Sequence, residues 1–226
     1  MEKIIVDKLN NIFKERLLTQ VDDRVSYSFD ASFGQHLPDV VVQVLSSAEV
    51  QRTVEIADEF EIPIYPRGAS TSLSGGPLPV HGGIVMDFSQ WTQKLEIYPD
   101  DLIIKVSPGV KTGDIHKLAE LHNLMYAPDP SSSSICTIGG NLAENAGGPR
   151  GVKYGVTKDY VIGLEVVTAE GKLIKTGGST VKNVTGYDLT KLLIGSEGTL
   201  GIITEATLRL IPKPLDTMTA MIIFDD

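Results

Sequence analysis

The stretch Ile62-Pro-Ile-Tyr-Pro-Arg-Gly-Ala-Ser-Thr-Ser-Leu-Ser-Gly-Gly76 passes from a strand pattern to a run of small residues. Its first four residues predict a short strand, and Pro66 to Gly76 has the composition of a loop. Small side chains let successive backbone N–H groups converge on an anion, and the hydroxyls of Ser70, Thr71 and Ser72 add donors. A diphosphate suits such a nest, although the same composition is equally typical of an ordinary flexible loop.

The residues before this stretch predict a βαβ unit. Val40 to Leu45 has the composition of a buried strand, and Ser46-Ser-Ala-Glu49 has the spacing of a capping box that opens a helix through Phe60. Strand, helix and strand in this order predict parallel strands with a right-handed crossover. Residues 3 to 18 have the periodicity of an amphipathic helix.

The residues after the stretch predict a second, mostly antiparallel layer. Pro99-Asp-Asp101 and Glu170-Gly171 each have the composition of a hairpin turn. The predicted strands are 84–88, 94–98, 102–106, 161–168, 172–176 and 200–210, and the predicted helices are 114–124 and 187–194. Residues 218 to 224 are expected to begin another strand, and because none follows it before Asp226 we expect a truncated chain. The sum is two α+β layers.

Composition and charge narrow the class of function. A hydrophobic content of 42% predicts a globular chain, and 20 basic against 29 acidic side chains give a net charge of −9. This charge disfavours nucleic acid and anionic lipid as partners, so a bound anion must meet a local pocket. One cysteine, Cys136, suits a reducing compartment, and no signal peptide or membrane span is visible in the sequence. We therefore expect a cytoplasmic protein.

The sequence lacks the motifs of several common classes of enzyme and binding site. The histidines, His36, His81, His116 and His122, never have the spacing of metal ligands, so we expect no metal site. The sequence has no Gly-x-Ser-x-Gly elbow, no Gly-x-x-x-x-Gly-Lys phosphate loop and no Gly-x-Gly-x-x-Gly fingerprint. Hydrolases, P-loop NTPases and standard Rossmann proteins are therefore disfavoured.

Glycine is concentrated in the middle of the chain. Of 22 glycines, only Gly34 precedes Gly68 and none follows Gly201. Besides the loop at 66–76, residues 127–148 combine a proline turn, a serine cluster and a glycine-rich helix start near Thr137, where backbone donors could meet a phosphate or a flat polar ring. Residues 195–205 place glycines before an apolar strand that could cover a base. Three such segments favour one long, polar, aromatic ligand such as a dinucleotide.

The order of motifs resembles a known family. Pro66-Arg-Gly-x-x-Thr-Ser-Leu-Ser-Gly-Gly76 is followed by Pro128-Asp-Pro-Ser-Ser132, Ile138-Gly-Gly-Asn-x-Ala-Glu-Asn-Ala-Gly-Gly148, Gly186-Tyr-Asp-Leu189 and Gly195-Ser-Glu-Gly-Thr-Leu-Gly-Ile-Ile-Thr-Glu205. From about Pro38 onward the chain resembles the FAD-binding domain, of the PCMH or vanillyl-alcohol-oxidase-like type, that is found in the flavin-binding component of glycolate oxidase and in FAD-linked D-2-hydroxy acid dehydrogenases such as D-lactate dehydrogenase.

The resemblance implies an α+β fold made of two α+β subdomains. A small subdomain with the βαβ unit would span about 38–97, and a larger, mostly antiparallel one with helices about 98–211. Together they form an FAD-binding domain at 38–215, preceded by a helix and lead-in at 1–37. Residues 216–226 would begin a C-terminal substrate domain, which in such enzymes carries the catalytic base, so no catalytic residue is assigned to this chain.

The resemblance also implies which residues contact the cofactor. The loop at 66–76 would wrap the diphosphate, 130–148 would flank the isoalloxazine and ribityl chain, and 197–203 would hold the adenine and ribose. The matched candidates are Pro66, Arg67, Gly68, Ala69, Ser70, Thr71, Ser72, Gly75, Pro130, Ser134, Thr137, Gly139, Gly140, Asn141, Asn145, Gly147, Glu197, Gly198, Gly201, Ile202 and Ile203. Covalent relatives in the wider fold use a histidine where Ala69, Ser70 and Thr71 stand, so we expect non-covalent FAD.

Three side chains have alternative interpretations. Arg67 is either a cation for the diphosphate, which we favour, or a structural partner of a carboxylate such as Glu61. We expect Cys136 to be a small packed residue rather than a reactive thiol. Lys182 could face the active site or cap the helix near Tyr187, and the sequence does not distinguish these.

The reaction implied by the family is oxidation of a small D-2-hydroxy acid, with hydride transfer to flavin N5. Electrons would pass to a partner subunit or carrier, because the single cysteine cannot ligate an iron–sulfur cluster. The alternative is a non-catalytic FAD-binding electron-transfer subunit of a multi-subunit oxidoreductase. A third alternative is a scaffold with glycine-rich loops that binds no flavin.

Overall fold

The computed structural model describes residues 1–216 and 218–224 and contains three sheets. The helices are α1 Lys3–Phe13, α2 Val21–Val25, α3 Ser47–Glu59, α4 Thr112–Leu121, α5 Ile138–Glu144, α6 Gly151–Tyr154 and α7 Leu189–Leu193, with 3₁₀ turns at Lys14–Arg16 and Thr157–Asp159. The strands are β1 Leu17–Leu18, β2 Val40–Gln43, β3 Ile64–Arg67, β4 Ile84–Asp87, β5 Leu95–Tyr98, β6 Ile103–Val106, β7 Leu124–Met125, β8 Val161–Val167, β9 Leu173–Gly177, β10 Ile202–Arg209 and β11 Ile211–Pro212.

The first sheet has the order β1-β2-β4-β3 and contains the predicted βαβ unit. Ser46 caps α3 by accepting a hydrogen bond from the Glu49 amide, as the capping box predicts. Strands β2 and β3 are parallel, as expected, but β4 lies between them and pairs in parallel with both. Four consecutive buried residues in β4 fit this central position.

The second sheet has the order β5-β6-β10-β8-β9 and is antiparallel throughout. Both predicted hairpins are confirmed, and Gly171 in the second has a φ of 73° that favours glycine. The short pair of β7 and β11 forms the third sheet. The predicted fold class, an α+β fold with a small βαβ-containing part and a larger, mostly antiparallel sheet with helices, is confirmed, and the small sheet is a mixed one.

Two buried clusters stabilise these layers. One packs α1 and α3 on the first sheet through Leu9, Phe13 and Val54, and the other packs α4 and α5 on the second sheet through Ile115 and Leu142. Val167 and Ile202, from the second sheet, lie in the first cluster. The two layers therefore pack against each other where β8 ends and β10 begins.

Several predicted boundaries differ from the structure. The N-terminal helix ends at Phe13 rather than residue 18, because Lys14 has a left-handed φ of 51° and the chain continues into β1. Strand β3 begins at Ile64, because the Ile62 amide still donates to the Ala57 carbonyl at the end of α3. The expected subdomain boundary near residue 97 falls inside β5. Residues 218–224 are exposed and form no strand, so that prediction is wrong for this segment.

Candidate functional site: a groove built around helix α5

Helix α5 is the meeting point of the three glycine-rich segments. At its start, Thr137 accepts a hydrogen bond from the Gly140 amide, and a Cβ on Gly68 would lie 2.2 Å from the Thr137 hydroxyl oxygen. This approach is open only to glycine, and it brings the first segment against the second. The sequence predicts that each of these segments contacts one ligand, and α5 is the element that joins them.

The third segment is attached to the other end of the same helix. The amide of Gly195 donates to the Leu142 carbonyl, and the amide of Glu197 donates to the Ala143 carbonyl. These carbonyls belong to the last turn of α5, where the regular hydrogen bonding of the helix ends, and the Leu142 carbonyl also accepts from the Asn145 amide at the C-cap. Gly198 also lies against Pro66, since a Cβ there would be 3.1 Å from the Pro66 Cγ. All three segments are thereby held in one arrangement.

Three adjoining cavities border these segments, and together we call them the α5 groove. Residues of α5 line two of them, and the third lies between α3, β3 and residues 198–202. Their volumes are about 280, 70 and 510 Å³. Pro66 lines all three, so the cavities follow one another from the serine-rich loop to the edge of the first sheet. The predicted residues that line it are Pro66, Arg67, Gly68, Ala69, Ser70, Thr71, Ser72, Pro130, Thr137, Gly139, Gly140, Asn141, Glu197, Gly198, Gly201, Ile202 and Ile203.

Four predicted residues lie away from the groove. Ser134 is exposed on a turn, and Gly75 faces Ser32 and Leu78. Asn145 adopts a left-handed φ of 52° at the end of α5, and Gly147 packs toward Val156. These residues shape the bends that flank the groove rather than its surface.

The structure also adds residues that the sequence predictions missed. Ser132 lines the groove in place of Ser134, and Glu144 follows the predicted Asn141 by three positions on α5. The spacing of the helix was the available signal for Glu144. Phe88 and Pro108 come from strand ends and carry no local signal. The further lining residues outside the prediction are Leu73, Ser74, Gly76, Pro77, Cys136, Ala143, Ala146 and Ser196 in the two smaller cavities, and Val54, Ala57, Asp58, Glu61, Ile62, Pro63, Ile64, Val167, Thr168, Ala169 and Thr199 in the 510 Å³ cavity.

The loop at 68–76 has unused hydrogen-bond donors. Within the described part of the chain, the backbone amides of residues 69–73 donate no hydrogen bond to another group. The Ser70 hydroxyl is buried without a partner, and Ser70 has a left-handed φ of 53°. Buried polar groups are normally satisfied, so this set of donors fits an anionic group held in the groove.

The start of α5 does not supply such donors. The Ile138 amide donates to the Val110 carbonyl, the Gly139 amide to the Pro108 carbonyl and the Gly140 amide to Thr137. The expectation that this helix start offers free backbone donors to a ligand is therefore wrong. Gly139 instead permits close packing, because a Cβ there would lie 2.9 Å from Pro108.

Arg67 lines the smallest cavity, but its guanidinium is held by the lead-in segment. Its guanidinium donates to the backbone carbonyls of Ser26, Tyr27 and Phe29, at 3.2, 3.4 and 2.8 Å. Burial lowers its pKa, and the nearby Asp87 carboxylate partly opposes this. The guanidinium is therefore bound by backbone carbonyls and not by Glu61, and its contact with a diphosphate stays a prediction. Arg67 anchors the lead-in segment to the end of β3.

The charged side chains at the groove are acidic. Apart from Arg67, the described lining residues of the two smaller cavities include no lysine or arginine, whereas Glu144 and Glu197 are both present. A bound diphosphate would therefore be held by neutral amides and hydroxyls. This matches the sequence-based interpretation of the loop as a backbone nest.

The structure also shows the environments of Cys136 and Lys182, whose roles the sequence left open. Cys136 is buried and its thiol lies 3.4 Å from the Thr112 hydroxyl, which agrees with a packed residue. Lys182 is exposed, and the start of α7 is capped by Asp188 instead.

Comparison with known proteins identifies the family. The model of the FAD binding domain family matches residues 38–177. The chain belongs to this family. It is 50% identical over 204 residues to glycolate oxidase subunit GlcD of Bacillus subtilis (strain 168), covering 90% of this chain and 43% of the relative. It is 37% identical over 224 residues to D-lactate dehydrogenase of Anaerostipes hadrus, covering 98% of this chain and 47% of the relative.

A solved structure supports the same fold. An alkyldihydroxyacetonephosphate synthase aligns with a TM-score of 0.82 and 25% identity, covering 96% of this chain and 41% of that one. The chain spans less than half the length of the curated relatives described above. The predicted FAD cofactor is confirmed at the level of the family, and the free amides and the Ser70 hydroxyl show that the residues present fit its diphosphate.

Proposed function

We propose that this chain holds FAD in the α5 groove as part of an oxidoreductase that oxidises a small D-2-hydroxy acid to the 2-oxo acid. The observation that carries the proposal is the groove itself, in which three motif segments meet on one helix beside unused donors. The names of the relatives, a glycolate oxidase subunit and a D-lactate dehydrogenase, support the class of substrate.

Each segment has a separate task in this proposal. The amides of 69–73 and the Ser70 hydroxyl bind the diphosphate, and the residues around Thr137 and Asn141 orient the flavin end. Ile202 and Ile203, beside Gly201, cover the adenine end. Bound FAD would supply the hydride acceptor of the reaction, while the protein provides orientation and excludes water. No histidine stands in the loop, which supports non-covalent binding.

The test is anaerobic reduction of the protein-bound flavin by a panel of 2-hydroxy acids, using the full-length gene product. Glycolate, D-lactate and D-2-hydroxyglutarate are the candidate donors, and the L-enantiomers of the chiral acids are matched controls. We expect loss of the oxidised flavin absorbance with at least one candidate and not with the L-acids. A protein that binds FAD but is reduced by none of them would support the alternative of an electron-transfer subunit.

The proposal includes a route for the electrons. We propose that a second protein or a diffusible carrier takes electrons from reduced FAD; the single cysteine of this chain is too few to ligate an iron–sulfur cluster. We place this exchange in the cytoplasm. Within the described residues, no helix is long and apolar enough to cross a membrane. Faster reoxidation of the flavin by a co-purifying protein than by oxygen would support such a partner.

A further inference from the structure

Glu144 contacts the serine-rich loop from the last turn of α5. One of its carboxylate oxygens, Oε1, accepts hydrogen bonds from the hydroxyls of Ser72, at 2.9 Å, and Ser74, at 2.7 Å. The two hydroxyl oxygens lie 2.5 Å apart, and the Ser74 amide donates to the Ser72 hydroxyl. The second half of the loop is thus connected to the helix through a single oxygen atom.

The first half of the loop is held by the opposite end of the same helix. Gly68 packs against the Thr137 hydroxyl, where a Cβ would come within 2.2 Å. Ser70 lies between these two attachments. Its backbone φ is left-handed and its hydroxyl has no partner. A loop fixed at both ends loses less conformational freedom when it binds a ligand.

The position of Glu144 has an electrostatic disadvantage. Its carboxylate lines the same cavity as Ser70, and a diphosphate bound there would be repelled by the negative charge. No lysine or arginine side chain forms an ion pair with Glu144 among the described residues. A carboxylate in this place therefore needs a function other than attraction of the cofactor.

We propose that Glu144 is a positioning residue that holds Ser72 and Ser74, so that the loop is preorganised and Ser70 remains as the free hydroxyl for the FAD diphosphate. The inference rests on the proposed binding of FAD in the α5 groove. It requires the acceptor oxygen of Glu144 and not its charge, because both serine hydroxyls donate to the same atom. A glutamine offers one carbonyl oxygen at the same position and can accept both hydrogen bonds.

The test compares FAD dissociation constants, measured by quenching of flavin fluorescence, for the full-length wild type, Glu144→Gln and Glu144→Leu. Glutamine and leucine have similar helix propensity and size, so the pair isolates the acceptor oxygen. We expect Glu144→Leu to raise the dissociation constant about tenfold and Glu144→Gln to stay within about threefold of wild type, or to bind more tightly. The Ser72→Ala/Ser74→Ala double variant should reproduce the loss.

A double-mutant cycle supplies the second measurement. Adding Glu144→Leu to the serine double variant should weaken binding no further, because the same contacts are already absent. Thermal unfolding of the apoproteins shows whether each variant is folded, and the serine variant replaces Glu144→Leu if the latter is not. Additive losses, equal losses in Glu144→Gln and Glu144→Leu, or unchanged binding in Glu144→Leu each overturn the inference. A wild type that does not bind FAD overturns the proposed function, and the inference with it.

Discussion

At the scale of the residue, Ser70 is the clearest link between the fold and a ligand. Its hydroxyl is buried without a partner, and its backbone has a φ of 53° that non-glycine residues seldom adopt. An unsatisfied buried donor destabilises the folded protein, whereas the same donor stabilises a complex with an anion. A binding site can retain such a destabilising group because the bound ligand satisfies its hydrogen bond.

Replacing Ser70 should therefore weaken FAD binding without lowering the stability of the apoprotein. We expect Ser70→Ala to raise the FAD dissociation constant about tenfold or more, since a hydrogen bond to a charged group contributes roughly 1.5–3 kcal/mol. The apoprotein should unfold at the same temperature or slightly higher. Titration with FAD and thermal unfolding of the apoprotein test the two parts, with Thr180→Ala, an exposed hydroxyl outside the groove, as control. If Ser70→Ala lowers the unfolding temperature of the apoprotein as well as weakening FAD binding, the serine has a structural role instead.

Gly68 gives a second prediction at this scale. A Cβ at Gly68 would lie 2.2 Å from the Thr137 hydroxyl, so Gly68→Ala must displace the capping side chain of α5. We expect it to destabilise the fold by about 1–3 kcal/mol and to weaken FAD binding. Gly178→Ala is the matched control, because nothing lies within 4 Å of a Cβ at that position. Equal stability of the two variants in urea unfolding would contradict the close approach.

Individual residues differ in how far the sequence predicts them. The small residues around Ser70 indicate a nest because their chemistry is local. The direction of the Arg67 side chain depends on Ser26, Tyr27 and Phe29, about 40 positions earlier, so its two possible roles could not be separated from the sequence. Ser134 was predicted in place of Ser132 because the geometry of a turn decides which of four serines faces inward.

At the scale of the element, the start of α3 is stabilised both by its local N-cap and by a distant side chain, Arg16. Arg16 donates two hydrogen bonds to the Glu49 carboxylate, and the Leu45 amide donates a third. Burial by itself raises the pKa of Glu49, but these hydrogen bonds outweigh it and the net pKa is lowered. The same contact fastens the 3₁₀ turn after α1 to the start of α3.

This lowered pKa predicts an acid-dependent loss of stability. The unfolded chain binds the proton more tightly than the folded one, so the contribution of Glu49 is complete above its ordinary pKa and is lost as the pH falls through the lower folded value. We expect Glu49→Gln to reduce the free energy of unfolding by about 1 kcal/mol near neutral pH, with the difference from wild type vanishing in acid. Urea unfolding across pH measures this.

The control for this experiment lies on the same helix. Glu59 forms an exposed ion pair with Lys8, so Glu59→Gln should cost less than about 0.5 kcal/mol at neutral pH. A difference between wild type and Glu49→Gln that does not change with pH would contradict the assignment.

Elements that depend on local sequence signals are predicted correctly, whereas the arrangement of the strands in the sheet is not. The N-cap at Ser46 and the hairpin turn at Gly171 both depend on short stretches of sequence, and both are present, although the Glu49 carboxylate accepts from the Leu45 amide rather than from Ser46. The position of β4 between β2 and β3 depends on strand pairing between distant parts of the chain, and no local sequence pattern encodes such pairing. The end of α1 at Phe13 was missed because the apolar periodicity continues past the point where the backbone turns.

At the scale of the whole molecule, the groove lies where the two layers meet. Its walls include Pro66 from the first sheet and Ile203 from the second, with α5 between them. A ligand in this position contacts both layers and stabilises the folded state as a unit. The family resemblance implies the subdomains, but the convergence of three segments on one seven-residue helix appears only in the fold.

Binding should therefore protect both sheets together. FAD at about 100 times its dissociation constant should add about 2.7 kcal/mol to the free energy of unfolding. We expect a similar gain in hydrogen-exchange protection at the Val42 amide in the first sheet and the Leu208 amide in the second. Protection confined to one sheet would place the cofactor against one layer only.

The central claim is that FAD binds in the α5 groove with its diphosphate on the loop at 68–76. A crystal structure of the full-length protein with FAD tests this most directly. The account predicts a diphosphate oxygen at about 2.7 Å from the Ser70 hydroxyl oxygen, together with hydrogen bonds from the amides of residues 69–73. A structure in which FAD is bound and the Ser70 hydroxyl still has no partner would contradict it.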